Sequence, residues 1–364
     1  LEKPMKFAPV PLSEAEGKIL GHNIAGADGR RWLRKGRPLT DEDLQKLRAL
    51  GRSSVYVAEM EPDDVDENKA ARRIAEAVCG PGLHISGVSS GRANLLADAQ
   101  GILRIDVKRL IQINECNGIT LTTLMTHTPV HARQIVATIK IIPYAVPEAV
   151  VSVAEGIAGE NRPIVRVDAL PSQSVGLVLS GSNSLRQRLV SDFAPLRDRI
   201  EKLGSAVNRT DFVSLDDEVD ETALSEILKQ QVSNGMKLIL IAGETAIMDT
   251  HDIVPRAVER AGGHVESVGA PVDPGNLLML AYLDNVPVVG APGCARSRKT
   301  NIVDWILPRL LVGDKLTRRD IVELSHGGLL QEVRERGMPR EIKEDDTDQN
   351  NQPESTSPVI SSSP

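Results

Sequence analysis

The apolar positions change rhythm about halfway along the chain. In the second half, short runs such as "VGLVLSG", "KLILIAG", "HVESVGA" and "VPVVGA" alternate with amphipathic stretches. The latter are "NSLRQRLVSDFAPLRDRIEKLG", "ETALSEILKQQVSNG", "DIVPRAVERAGG" and "TNIVDWILPRLLVG", while "SAVNRTDFVSLD" reads as one more strand with its exit. Buried strands alternating with one-sided helices predict a mostly parallel sheet covered on both faces. Ligands of such sheets bind beyond the C-terminal strand ends. The sequence places Ser180-Gly181, Ala242-Gly243-Glu244-Thr245 and Ala291-Pro292-Gly293 there, so these loops are expected to converge.

The first half is less regular. "PLSEAEGKILGHNI" reads as a short helix or turn leading into a strand. Thr40, with Asp43 three residues on, predicts a capped helix running to Leu50 and stopped by Gly51. Ser54 to Ala58 reads as a strand, and "DDVDENKAARRIAEAVCG" as a helix with an acidic start, closed by Gly80. Short β-rich segments follow from Gly82 to Val146, with one helix around Val107 to Asn114. The expected class is α/β. An α+β N-terminal region over 1–148, divisible into two subdomains, precedes a mostly parallel three-layer α/β/α domain over 165–330. Residues 334–364 are polar and rich in Ser and Pro, and are expected to form a disordered tail.

Composition narrows the function classes. Aromatic residues are only 2% of 364, so the cores must be aliphatic, and base-stacking nucleic-acid modules are disfavoured. The formal charge of −7 gives no general attraction to nucleic acid or acidic membranes, so any anion site must be local. Cys79, Cys116 and Cys294 share no metal-binding or disulfide spacing, which suits a reducing compartment. No apolar run approaches the roughly 20 residues of a membrane span, and "LEKPMKF" lacks the apolar stretch of a signal peptide. A cytoplasmic protein is expected.

The segment "VPVVGAPGCARSRKTN" admits three readings: a phosphate cradle, a cysteine nucleophile or a plain strand-to-helix corner. Arg298 stands where a P-loop needs its second glycine, which argues against that motif. A weaker anion site remains, in which Arg296, Ser297, Arg298 and Lys299 assist the N–H groups of the following helix. Cys294 has no evident partner. In "AGETAIMDTHDIVP", Glu244, Asp249 and Asp252 gather at one strand end. They could hold Mg²⁺ or accept paired N–H groups from a pterin or guanine edge, or Asp252 could simply cap the next helix. "GAPVDPGN" puts Asp273 in a rigid turn.

Taken together, Val175 to Gly313 resembles the molybdopterin-binding domain of molybdopterin adenylyltransferases and molybdotransferases. Gly243, Thr245, Asp252 and Pro255 match the family's "TGGTG…RDVTP" pattern, allowing one inserted residue, and Pro292 and Gly293 match its "LPG.P" pattern. Glu244 and Ala246 replace family glycines, and Ser182 and Asn183 follow Gly181 where the family often has an acid. The front half, with "LRKGRPLTDEDLQKLRALG" and "SGRANLLADAQGILRID", resembles the leading region of bacterial molybdopterin-binding proteins. No nucleotidyltransferase fingerprint follows.

The resemblance implies a protein that binds molybdopterin or molybdenum cofactor and acts in making or finishing it. Gly181, Gly243, Glu244, Thr245, Asp273, Gly293, Arg296, Ser297 and Lys299 would contact the ligand. Asp249 and Asp252 would be the catalytic candidates and would hold any Mg²⁺. A transferase and a non-catalytic carrier remain open, as does, more remotely, a nucleotide-processing enzyme. A cytidylyltransferase or molybdoenzyme partner and a homo-oligomer are further expectations.

Overall fold

A computed structural model describes residues 5–330 apart from 27, 160, 161 and 215–217. The polar tail expected over 334–364 lies outside the described residues. The first sheet pairs Lys6–Pro11 with Ser54–Glu59, and Ile19–Leu20 joins the other edge of Ser54–Glu59. The helix Asp41–Ala49 packs Leu44 and Leu47 into this unit's core. Its capping box is formed as expected, with the Thr40 hydroxyl accepting from Asp43 N–H and the Asp43 carboxylate accepting from Thr40 N–H.

A second core follows. Strands Arg92–Ala97, Ile119–Thr123 and Ile135–Ile141 pack against the helices Glu67–Val78 and Val107–Glu115. A further helix, Glu148–Gly159, joins them, buries Val151, Ala154 and Ala158, and has no counterpart in the sequence reading. Val165–Ala169 pairs with Gly101–Ile105, so the strand that opens the rhythm change belongs to the front half's sheets.

The remaining chain forms one six-stranded sheet. Its strands are β1 (Ser174–Ser180), β2 (Ala206–Val213), β3 (Leu238–Gly243), β4 (His264–Val268), β5 (Met279–Leu283) and β6 (Val286–Gly290). The spatial order is β2-β1-β3-β6-β5-β4. The pairs β1/β2, β1/β3 and β3/β6 are parallel, while β5 runs antiparallel to both its neighbours. The helices are α1 (Arg186–Asp192), α2 (Ala194–Lys202), α3 (Glu218–Ser233), α4 (Ile253–Arg260), α5 (Ile302–Leu311) and α6 (Arg318–Glu323).

Strand alternation divides the sheet's side chains between two cores. Leu177, Leu179, Leu238, Leu240 and Leu280 pack with α1, α2, α5 and α6. Val178, Ile239, Ile241, Met279 and Ala281 pack with α3 and α4.

Two expectations change. "NSLRQRLVSDFAPLRDRIEKLG" forms two helices, because Phe193 leaves helical geometry and Pro195 begins the next helix near its first position, where a missing N–H is harmless. The apolar run before "VPVVGA" supplies a strand of its own, β5, joined to β6 by a tight turn with Asp284 at φ +55°. Among the described residues no helix is long and apolar enough to cross a membrane.

Candidate functional site

The order β2-β1-β3 sets the site. The helices after β1 pack on one face of the sheet and the helix after β3 packs on the other. Chain leaving in opposite directions opens a crevice between the C-terminal ends of two neighbouring strands. A cleft of about 240 Å³ lies there, lined by Ser180, Gly243, Thr245, Met248, Asp252 and Ala291 among others. The three loops expected to converge do meet at this end of the sheet.

The close approach of β1 and β3 depends on missing side chains. A Cβ on Gly243 would lie 2.2 Å from Ser180 Oγ, and Gly181, at φ +155°, would bring one within 3.0 Å of Glu244. Glu244 ties the first two loops together. Its carboxylate accepts Ser182 N–H at 3.0 Å and Ser182 Oγ–H at 2.8 Å. Those two bonds, with the Arg296 charge adding to them, hold its carboxyl below the usual range.

Arg296 ties in the third loop. It donates to the carbonyls of Gly243 and Glu244, and its guanidinium lies 4.9 Å from the centre of the Phe193 ring. Arg296 therefore fastens the mouth of the sheet, a role that sequence reading assigned to ligand binding instead. Arg199, not singled out from sequence, shapes the same loop. It pairs with Asp304 at 2.8 Å and donates to the carbonyls of Ala295 and Lys299. Nothing local in α2 marks it, because its partners lie about a hundred residues away.

The helix-start anion site is filled from within. Asn301 and Asp304 form a capping box at the N-terminus of α5 and take the N–H groups of Val303 and Asn301. Ser297 Oγ accepts Lys299 N–H, and Arg298 pairs with Asp198. Gly293 is exposed with open space around it, and Lys299 projects into solvent. Burial pushes the Cys294 thiol up, away from the nucleophilic thiolate. Asp273 sits exposed in the turn before β5, its backbone paired with the Gly328–Leu330 segment. Neither Asp273 nor the Gly293–Lys299 loop lines the cleft.

Asp249 and Asp252 are engaged inside their own loop. Asp252 accepts the N–H groups of Met248 at 2.6 Å and Asp249 at 3.0 Å, so it does not cap α4 with its side chain as expected. Asp249 accepts from the backbone and ring of His251, which holds its carboxyl below the usual range. Among the described residues no three His, Cys, Asp or Glu side chains gather so as to hold a metal ion. The expected Mg²⁺ site at Asp249 and Asp252 does not fit these contacts.

A domain of unknown function (DUF8806) matches residues 9–59, too short a part of the chain to set a family for the whole. No curated protein matches the chain in sequence. Among solved structures it is similar to the molybdopterin biosynthesis moea protein from Pyrococcus horikosii, at 12% identity and a TM-score of 0.27, covering 84% of this chain and 75% of that one. It is also similar to molybdenum cofactor biosynthesis protein B, at 12% identity and a TM-score of 0.28, covering 39% of this chain and 96% of that one. Overlaps this loose carry no argument about the site.

Proposed function

We propose that the second half is a three-layer α/β/α domain that binds a molybdopterin-type phosphorylated pterin, and that the chain serves in making or finishing molybdenum cofactor. The observation that carries this reading is the cleft between the ends of β1 and β3. It is lined by Gly243, Thr245 and Asp252, residues of the sequence pattern that resembles the molybdopterin-binding domain. Its volume of about 240 Å³ falls below the roughly 300 Å³ of the smaller ligand pockets, so it suits one end of such a molecule. The bare backbone at Gly243 gives that end its close approach.

Carrying the pterin is the better supported role. The carboxylates a Mg²⁺-assisted transfer would need, Asp249 and Asp252, hold their own loop together.

The test is calorimetric titration of the full chain with molybdopterin, alongside ATP and CTP. Molybdopterin is expected to bind, and Gly243→Val to abolish binding by filling the crevice. Absence of pterin binding, or binding untouched by Gly243→Val in a folded variant, overturns the assignment. Nucleotide transfer to the bound pterin would replace the carrier role with an enzymatic one.

A further inference from the structure

A cavity of about 620 Å³ near the front of the molecule shares no lining residue with the cleft at β1 and β3. It lies between the first small sheet and the second core, and its walls include Phe7, His22, Lys35, Glu67, Lys140 and Tyr144. That volume falls within the range of small-molecule sites.

Its aromatic wall is unusual for this chain. Phe, Trp and Tyr make up 2% of the sequence, yet Phe7 and Tyr56 cluster with the His22 imidazole beside this cavity. The centroid of Phe7 is 5.3 Å from His22 and 5.7 Å from Tyr56, with His22 and Tyr56 at 5.4 Å. None is buried, with Phe7 at 41% and Tyr56 at 46% exposure. Rings serving only as core would face inward, where they remove most apolar area from water.

Two glycines fit the rings to the cavity. A Cβ on Gly21 would lie 2.7 Å from the Phe7 ring, and one on Gly36, at φ +81°, would lie 3.2 Å from the Tyr144 ring. Tyr144 is held in place by its hydroxyl, which donates to the Gly21 carbonyl at 2.8 Å.

The charges are unequal. Lys140 pairs with Glu67 at 3.4 Å, while Lys35, at the rim, makes no side-chain ion pair among the described residues. A ring wall beside one unmatched cation suits a flat heterocycle carrying an anionic group.

The geometry points to a second ligand site here, one that takes a planar heterocyclic anion of the nucleotide or pterin class. Phe7 provides the stacking face, His22 stands across it at 82°, and Lys35 meets the anionic group. This site does not depend on the β1/β3 cleft.

The full chain would be titrated by calorimetry with AMP, adenosine, ribose 5-phosphate and pterin-6-carboxylate. AMP or pterin-6-carboxylate is expected to bind at least tenfold tighter than ribose 5-phosphate, and the stronger of the two identifies the natural class. Phe7→Ala is expected to weaken that binding at least tenfold. Lys35→Gln should bring AMP down to the level of adenosine. Gly243→Val should leave AMP binding intact, which separates this site from the pterin cleft.

Both Phe7 and Lys35 are exposed, so the variants are expected to keep the wild-type melting temperature. Should Phe7→Ala unfold, His22→Ala tests the same wall. No binding by any probe at millimolar concentration overturns the site, as does binding indifferent to both ring variants. A dimer that Phe7→Ala turns into monomer also overturns it, because a second copy would then cover the rings.

Discussion

Single residues at the sheet mouth act as fasteners. Arg296 contributes two bonds to carbonyls and a stacking contact, so Arg296→Ala is expected to cost about 2 kcal/mol in chemical denaturation. Arg296→Lys should recover only part, since an ammonium cannot reproduce the guanidinium fork. Glu244 behaves as a pH-dependent tie. Its carboxyl lies below the usual range when folded, so the Ser182 bonds are fully present above the unfolded value, about 4.3, and are lost as pH falls through the folded value. Protection of the Ser182 amide, taken against its intrinsic exchange rate at each pH, should therefore fall at low pH, and at neutral pH in Glu244→Ala. Equal exchange rates in wild type and variant would remove the tie.

These roles were hidden from sequence reading for a definite reason. Gly243, Thr245 and Asp252, which line the cleft, stand in a short local pattern that sequence alone displays. The Glu244–Ser182 and Arg296–Gly243 contacts join positions 62 and 53 residues apart, which no local pattern encodes. Asp252 looked like a helix cap because acids before helices usually are, but it closes a turn of its own loop instead.

At the scale of elements, alternation and length located most of the parallel sheet. β5 escaped because its apolar run continues towards β6 with only Asp284 and Asn285 between them, a pair suited to a tight hairpin turn. The helix Glu148–Gly159 escaped because its four β-branched residues, Ser152 and two glycines offset its alanines, and packing decides its state. The contact of β1 with α3 gives a direct test of element packing. A Cβ on Gly176 would lie 1.8 Å from Oε1 of the fully buried Gln231. Gly176→Ala is expected to destabilise the domain by about 1–3 kcal/mol, read as a lower denaturation midpoint. An unchanged midpoint would mean that Gln231 moves aside freely.

At the scale of the molecule, a chain of charges joins the two halves. Arg104, from the front half's sheet, pairs with Asp168 at 2.8 Å and with Asp314 at 2.7 Å. Arg309 continues the chain from Asp314 to Asp320. Burial pushes the Asp314 carboxyl up, but the bonds and charges of Arg104 and Arg309 outweigh it and leave the carboxyl below the usual range. Its contribution is therefore present above the unfolded value, about 3.9, and lost as pH falls through the folded one. Calorimetric unfolding is expected to split into two transitions in acid, and at neutral pH in Arg104→Ala, which should cost about 2–4 kcal/mol. A single transition throughout would show that other contacts couple the halves.

The strand Val165–Ala169 ends the front half's sheets, and β1 opens the second sheet at Ser174, with only Leu170–Gln173 between them. So short a span reaches under about 20 Å when fully extended. Each half therefore meets the other at an effective concentration of millimolar or more. Ion pairs too weak to join separate molecules then suffice to keep the halves docked. Lengthening Leu170–Gln173 with glycine and serine should loosen that docking without altering a single contact, because dilution alone would do it.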